Sequence, residues 1–142
     1  MRVRDILRTK YAGTVTVTPD TDVRQLLAVL AEHRIGAAVV SRDGRSIDGI
    51  ASERDVVRAI AARGAAVLSE TVRAICTTDV HSVGPETQID ELMRLMTEER
   101  IRHVPVVVDG ELRGIVSIGD VVKHRIEELQ SERDQLTAYI TG

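Results

Sequence analysis

The hydrophobic pattern of this chain alternates between strand and helix periods. After a short β-branched run at 15–17, four apolar residues recur at i, i+3, i+4 and i+7, as on the buried face of an amphipathic helix: Val23, Leu26, Leu27 and Leu30. Apolar runs of strand length follow at 35–40 and 47–51, and a second helix is predicted from Ser52 to Gly64. The pattern predicts a β-α-β-β-α unit.

The same unit occurs twice in the chain. Pro19 and Ile35 correspond to Pro85 and Ile101 at an offset of 66, and after one extra residue in the first copy the offset becomes 65. A repeat of this length indicates two copies of one supersecondary unit that pack together. Two units related by pseudo-twofold symmetry leave paired clefts between them, and such clefts are common sites for small ligands.

The repeat divides the chain into three parts. We assign residues 1–66 to a first repeat, 67–128 to a second repeat and 129–142 to a C-terminal helical extension. The last predicted helix carries apolar residues every three to four positions, interrupted by Arg133: Val122, Ile126, Leu129, Leu136 and Ile140. This seam either packs on its own domain or pairs with a second chain, and the pattern leaves both alternatives open.

Composition and charge exclude several functions. The net charge of −3 gives no electrostatic argument for nucleic acid, and with no Phe or Trp and two Tyr the chain has almost no platforms for base stacking. The single cysteine, Cys76, rules out an intramolecular disulfide and favours a reducing, cytoplasmic location. No apolar run approaches the roughly 18 residues of a membrane span, and the charged N-terminus has no signal-peptide core. We therefore expect no nucleic-acid or membrane partner.

A short motif lies where the last strand of each unit meets the last helix. It consists of Gly, two apolar residues, Ser, two further residues and Asp, and it places Ser52 with Asp55 and Ser117 with Asp120. A helix N-terminus attracts phosphate, and a carboxylate can accept hydrogen bonds from ribose hydroxyls. The same Ser-x-x-Asp pattern is also a capping box for the helix itself. Its presence in both copies does not separate the two interpretations, because duplication copies caps as well as sites.

Taken in order, these motifs make the chain resemble a pair of CBS domains, the module named after cystathionine β-synthase. The resemblance covers residues 3–125 and is carried by VRDIL and VRAICTTDV, TPDT and GPET, RIGAAVV and RIRHVPVV, and GIASERDVV and GIVSIGDVV. It implies an α/β (α+β) fold in which two β-α-β-β-α repeats pack by their sheets into a pseudo-twofold disc, with an extended C-terminal helix. In this family, two clefts typically bind AMP, ADP, ATP, NAD(H) or S-adenosylmethionine.

The resemblance also implies which residues contact the ligand. Asp55 and Asp120 would hold ribose, with Ser52 and Ser117 beside ribose or phosphate, and Arg54 would reach phosphate. The start of the second strand would line the base and phosphate region: Gly36, Ala37 and Ala38 in the first repeat, and Arg102, His103, Val104 and Pro105 in the second. The segment before each first strand would close over the base: Lys10, Tyr11 and Val15, and Thr77 and His81.

The two implied clefts differ in charge. Arg54 has Gly119 as its counterpart, whereas Arg102 and His103 correspond to Gly36 and Ala37. We predict that a phosphorylated ligand prefers the cleft near Asp120, on the assumption that Arg102 and His103 belong to it. The alternative is that Arg54 binds phosphate in the other cleft.

No catalytic signature is recognisable. The chain has no Walker A loop, GxGxxG or nucleophile elbow, and its four histidines (His33, His81, His103 and His124) lack metal-ligand spacing. His103 is either a phosphate contact or a half-buried strand residue. We expect Cys76 to be a small buried residue rather than a nucleophile. Three arginines are expected on solvated helix faces: Arg24, Arg58 and Arg94.

The leading hypothesis is a stand-alone regulatory module. It would sense an adenosine derivative, such as AMP, ATP or NAD(H), as a regulatory ligand, require no cofactor, form a homodimer and signal to an unknown protein partner. The alternative is a structural or interaction protein in which both Ser–Asp pairs are only caps. A nucleotide-using enzyme is a third hypothesis, which the lack of an activated nucleophile disfavours.

Overall fold

The computed structural model describes residues 1–9 and 13–141, and its elements follow the two repeats. Two short 3-10 helices, Ala65–Ser69 and Val72–Ala74, connect them. The helices and longer strands, in chain order, are α1 (Val3–Thr9), β1 (Thr16–Val17), α2 (Val23–His33), β2 (Ala37–Val40), β3 (Gly49–Ser52), α3 (Glu53–Arg63), α4 (Ile89–Glu99), β4 (His103–Val108), β5 (Glu111–Ser117) and α5 (Ile118–Thr141).

The first repeat forms the predicted β-α-β-β-α unit. Its sheet has the order β1-β2-β3, with β1 parallel to β2 and β2 antiparallel to β3. Helix α2 connects the two parallel strands, and its buried residues are Val23, Leu26 and Leu30. All four residues of β2 are buried, as the apolar run at 35–40 predicted for a central strand.

The second repeat pairs β4 with β5, but its first strand is reduced to a single bridge between Val83 and Val106. Val83 corresponds to Val17, which lies in a two-residue strand. Proline provides the reason. Pro105 corresponds to Val39, which pairs with Thr16, and proline has no N–H with which to hold a further residue of the first strand.

The two hydrophobic cores exchange their leading segments. Helix α1 contributes Val3 and Ile6 to a cluster that otherwise consists of second-repeat residues: Ile89, Leu92, Met96, Val104, Val106, Val116 and Val121. Val67 and Val72, from the second assigned part, join the cluster of the first: Val17, Val23, Leu26, Leu30, Ala38, Val40, Ala51 and Val56. The assignments 1–66 and 67–128 describe the repeat in sequence and remain predictions as domains; the packed cores divide the chain differently.

Equivalent backbone hydrogen bonds hold both exchanged segments. Val3 N–H donates to Thr87 O at 2.9 Å, and Val72 N–H donates to Thr21 O at 2.7 Å. Each segment thus docks on the turn that precedes α4 or α2. The docking satisfies backbone groups that would otherwise be unpaired beside a helix start.

The hairpins of the two repeats differ in length. Asp109 and Gly110 both have positive φ, 51° and 78°, as in the two-residue turn that an Asp-Gly pair favours. In the first repeat, the connection between β2 and β3 is a longer loop organised by Asp43. Its Oδ1 accepts hydrogen bonds from the N–H groups of Arg45 and Ser46, both at 2.8 Å. These bonds hold the pKa of the Asp43 carboxyl well below its ordinary value.

Helix α5 is longer than any other helix described. Only Val121 and His124 of its residues are buried, and the predicted seam, from Val122 to Ile140, is exposed. The Thr9 hydroxyl donates to Ile6 O at 2.9 Å, and a hydrogen bond of 3.0 Å between Thr9 Oγ1 and His124 Nε2 joins α5 to α1. The predicted α/β class, with two repeats and an extended C-terminal helix, is confirmed. Within residues 1–9 and 13–141, no helix is both long and apolar enough to span a bilayer.

Candidate functional site

Two clefts lie between the repeats, and each is built from both. The Asp55 cleft, of about 230 Å³, combines the start of α3 with residues of the second repeat: Ser52, Glu53, Arg54, Asp55, Arg58, Thr77, Asp79, His81, Arg100, Arg102 and His103 are among those that line it. The Asp120 cleft, of about 500 Å³, combines the start of α5 with residues of the first repeat: Leu7, Gly13, Thr14, Val15, His33, Arg34, Gly36, Ala37, Arg113, Ser117 and Asp120 are among its lining.

The Ser52–Asp55 pair forms a complete capping box at the start of α3. Asp55 N–H donates to Ser52 Oγ at 3.2 Å, and the Ser52 N–H and hydroxyl donate to Asp55 Oδ2 at 2.9 and 3.0 Å. The other carboxylate oxygen, Oδ1, accepts from the Thr77 hydroxyl at 3.3 Å. Asp55 therefore caps its helix with one oxygen and faces the cleft beside Thr77 with the other.

The second repeat reproduces this cap. Ser117 N–H donates to Asp120 Oδ2 at 2.9 Å, and Asp120 N–H donates to Ser117 Oγ at 3.1 Å. Both residues also line the Asp120 cleft. The two interpretations of the motif are thus compatible, because a capping carboxylate at a cleft wall still has lone pairs that a ligand can reach.

The predicted distribution of charge between the clefts is wrong. Arg102 lines the Asp55 cleft, on the same side as Arg54, and His103 lines both clefts rather than the Asp120 cleft alone. The reason is the packing of the repeats: the strand start of each repeat faces the Ser–Asp motif of the other. The sequence predicts Arg102 beside Ser117 and Asp120 of its own repeat, whereas the structure places it in the cleft of Asp55.

Three predicted lining residues do not reach either cleft. Ala38, Val104 and Pro105 are buried within β2 and β4, and Ala38 and Val104 pack into the two cores. Side chains alternate along a strand and the sheet buries its inner face, so only the first positions of β2 and β4 face the clefts. Lys10 and Tyr11 lie outside the described residues. The remaining predicted contacts line one cleft or both and stay predictions as ligand contacts.

Two arginines that sequence reasoning did not assign to a site line the Asp55 cleft. Arg58 was expected on a solvated face of α3 but lies one turn after Arg54, and this i, i+4 spacing was the signal that could have placed it. Arg100 ends α4 with φ 56° and corresponds to Arg34, which ends α2 with φ 54° and lines the Asp120 cleft. Both arginines begin the RIGAAVV and RIRHVPVV segments.

The cysteine thiol is not activated as a nucleophile. Burial is the main cause that raises the pKa of the Cys76 thiol, and Asp55 adds to it, so the reactive thiolate is disfavoured. His81, which also lines the Asp55 cleft, has its Nε2 atom 3.5 Å from Glu99 Oε2. Across residues 1–9 and 13–141, no group of three or more His, Cys, Asp or Glu side chains is arranged to hold a metal ion.

Comparison with known proteins agrees with this architecture. The CBS domain family model matches residues 3–62 and 72–127. The chain is 40% identical to the CBS domain-containing protein CBSX3, mitochondrial, of Arabidopsis thaliana, over 99% of this chain and 72% of that protein. It is 43% identical to the solved CBS-domain containing protein ATU1752 of Agrobacterium tumefaciens, with a TM-score of 0.85 and coverage of 88% of this chain and 99% of that one.

A further solved structure contains a nucleotide. The CBS domain protein PAE2072 of Pyrobaculum aerophilum, in complex with AMP, is 29% identical, with a TM-score of 0.75 and coverage of 84% of this chain and 89% of that one. Together with the repeat, the paired caps and the clefts, the family match over most of the sequence leads to one conclusion. The chain belongs to the CBS-domain family.

Proposed function

We propose that this protein is a regulatory module that binds an adenosine derivative in the clefts between its two repeats. The observation that carries the proposal is the position of Asp55 and Asp120. Each caps a helix at the wall of a cleft and is partly buried there, where vicinal ribose hydroxyls would meet a carboxylate. The AMP complex of PAE2072 supports a nucleotide as the ligand.

The proposed role is regulatory, since the described residues contain no activated nucleophile or metal site. A bound ligand changes a conformation only by its different affinity for two states. Here the two states would be two arrangements of the repeats. A ligand in either cleft contacts both repeats at once and would therefore favour one arrangement over the other. The output would pass to a protein partner, and the cytoplasm is the proposed location.

The test is thermal unfolding with AMP, ADP, ATP, NAD, NADH and S-adenosylmethionine, each at 100 times its expected dissociation constant. Such a ligand adds about 2.7 kcal/mol to the free energy of unfolding. We expect at least one ligand to raise the melting temperature, and Asp55→Asn or Asp120→Asn to abolish that rise. Asn retains a side-chain oxygen for the cap but loses the carboxylate charge.

The matched control is Asp22→Ala. Asp22 caps α2 by accepting the Gln25 N–H at 2.7 Å and lies in neither cleft. Its loss costs about 1 kcal/mol of stability but should leave the ligand-induced shift intact. If no ligand stabilises the wild type, the structural or interaction protein becomes the better interpretation, and both Ser–Asp pairs are caps only.

We also propose a homodimer formed through α5. Leu136, Tyr139 and Ile140 are 63–87% exposed, and an apolar seam on one helix buries itself best against a second helix. Ile126→Glu with Leu129→Glu should convert a dimer into a monomer in sedimentation velocity. Glu132→Lys on the same helix is the matched charge change off the seam. A wild-type monomer at high concentration would exclude the dimer without affecting the ligand proposal.

A further inference from the structure

We propose that the two clefts select different ligands, and that the arginine at position 102 determines the selection. The Asp55 cleft requires a phosphate group, whereas the Asp120 cleft accepts a larger adenosine derivative whether or not it carries phosphate. This inference rests on the proposed function, because it names the ligand class of each cleft.

The Asp55 cleft is rich in arginine. Four line it: Arg54, Arg58, Arg100 and Arg102. Within the described part of the chain none of them forms an ion pair. They come from both repeats and converge on one small space, where planar guanidinium groups match the geometry of a phosphate.

Acidic side chains offset much of the positive charge of the same cleft. Glu53, Asp55 and Asp79 also line it, so the excess of formal positive charge is small. The Asp55 carboxylate, however, already accepts three hydrogen bonds from Ser52 and Thr77, which partly neutralise its negative charge. The selection therefore depends on directed contacts from guanidinium groups rather than on net charge.

Among the residues that the structure describes, fewer arginines line the Asp120 cleft than the Asp55 cleft, and its volume is larger. Arg113 Nη2 forms an ion pair with Glu111 Oε2 at 3.7 Å. Of the two arginines described in the Asp120 cleft, Arg34 therefore has no described ion pair. Its volume of about 500 Å³ lies within the range of about 300–1,000 Å³ that encloses small ligands, whereas about 230 Å³ lies below that range. A ligand in the Asp55 cleft is therefore less enclosed and depends more on its charge contacts.

The residues at the start of the second strand differ between the repeats. Arg102 lines the Asp55 cleft, whereas its counterpart Gly36 lines both clefts. Ala37 lines the Asp120 cleft, whereas its counterpart His103 lines both. A Cβ atom at position 36 would lie 2.9 Å from Glu53 Oε1 and 3.3 Å from His103 Nε2, so a larger side chain there would also disturb the Asp55 cleft. Of these positions, Arg102 is therefore the one that adds a permanent cation to a single cleft.

The test compares AMP, adenosine and S-adenosylmethionine by isothermal titration calorimetry, with Asp55→Asn and Asp120→Asn used to assign each binding event to a cleft. Arg102→Ala should weaken AMP binding in the Asp55 cleft about tenfold to a hundredfold, as expected for the loss of one charge-assisted contact. It should leave adenosine and S-adenosylmethionine in the Asp120 cleft unchanged. Arg94→Ala, an exposed arginine on α4 outside both clefts, is the matched control.

Two further measurements keep the inference falsifiable. Raising the salt concentration should weaken AMP in the Asp55 cleft more than adenosine in the Asp120 cleft, because exposed arginines are screened. Gly36→Val should weaken binding in both clefts, because Gly36 lines both, and so contrasts with Arg102→Ala, whose effect should be confined to the Asp55 cleft. Equal affinity of AMP and adenosine for the Asp55 cleft overturns the inference alone. Failure of all three ligands to bind also overturns the inference, and the thermal unfolding with six ligands then decides the proposed function separately.

Discussion

The first repeat pairs three strands, whereas the second pairs two. The repeats also present different residues to the clefts. Arg102 lines the Asp55 cleft, whereas its counterpart Gly36 lines both clefts. The repeats share the Ser–Asp cap, the docked leading segment and the αL arginine. A duplicated unit thus keeps its caps and docking contacts while strand pairing and cleft residues differ, which makes two clefts of one ancestry chemically unequal.

The largest effect is expected from the exchanged cores. Ile6→Ala should lower the free energy of unfolding by about 2–5 kcal/mol, because Ile6 is fully buried. Native-state hydrogen exchange should accelerate most in α4 and β4 of the second repeat, although Ile6 belongs to the first repeat in sequence. Ile75→Ala, at the equivalent but less buried position, should accelerate α2 and β2 instead. Faster exchange in α2 and β2 for Ile6→Ala, and in α4 and β4 for Ile75→Ala, would contradict the exchange of leading segments between the cores.

A smaller effect is expected from exchanging the residues that set the length of the first strand. Val39→Pro should cost about 1–3 kcal/mol by leaving a backbone acceptor of β1 without its donor. Pro105→Val should add a protected amide at position 105 and lengthen the first strand of the second repeat. Urea unfolding and amide exchange measure the two results. If Val39→Pro were neutral, a missing N–H would not explain the shorter strand.

The smallest change in free energy is expected at the two left-handed arginines. Arg34→Gly and Arg100→Gly should each stabilise the fold by about 0.5–1 kcal/mol, because φ near 55° is strained for arginine and not for glycine. Because both arginines line clefts, the same variants should weaken ligand binding. Chemical unfolding and calorimetry on one preparation measure both effects. A gain in stability without a loss of binding would mean that these arginines do not serve the clefts.

The loop between β2 and β3 makes the stability of the first repeat sensitive to acid. The lowered pKa of Asp43 means that the unfolded chain binds a proton more readily, so the stabilisation is present above the ordinary pKa of about 4 and is lost as the pH falls below it. Asp43→Asn should be less stable than the wild type at pH 7, and the difference should shrink below pH 4. Urea midpoints across this range measure it, and a constant difference would contradict the assignment.

Much of the architecture could be predicted from periodicity. The stripe from Val23 to Leu30 and the run at 35–40 each depend on near neighbours in sequence, and both are confirmed. The Ser–Asp caps are local for the same reason. The site was predicted less completely: most proposed residues line a cleft, but Arg102 was placed in the wrong one, and Arg58 was expected in solvent.

The sequence by itself determined the elements, the duplication and the residue types available at each cleft, because these follow from local periods and from a repeat that can be aligned with itself. Only the tertiary structure decided which repeat completes which cleft and which core α1 enters. Both depend on contacts between residues far apart in the chain, such as Val3 with Thr87 and Ile50 with Thr77. Two identical units can pack in more than one way with the same internal contacts, so no local pattern encodes that choice.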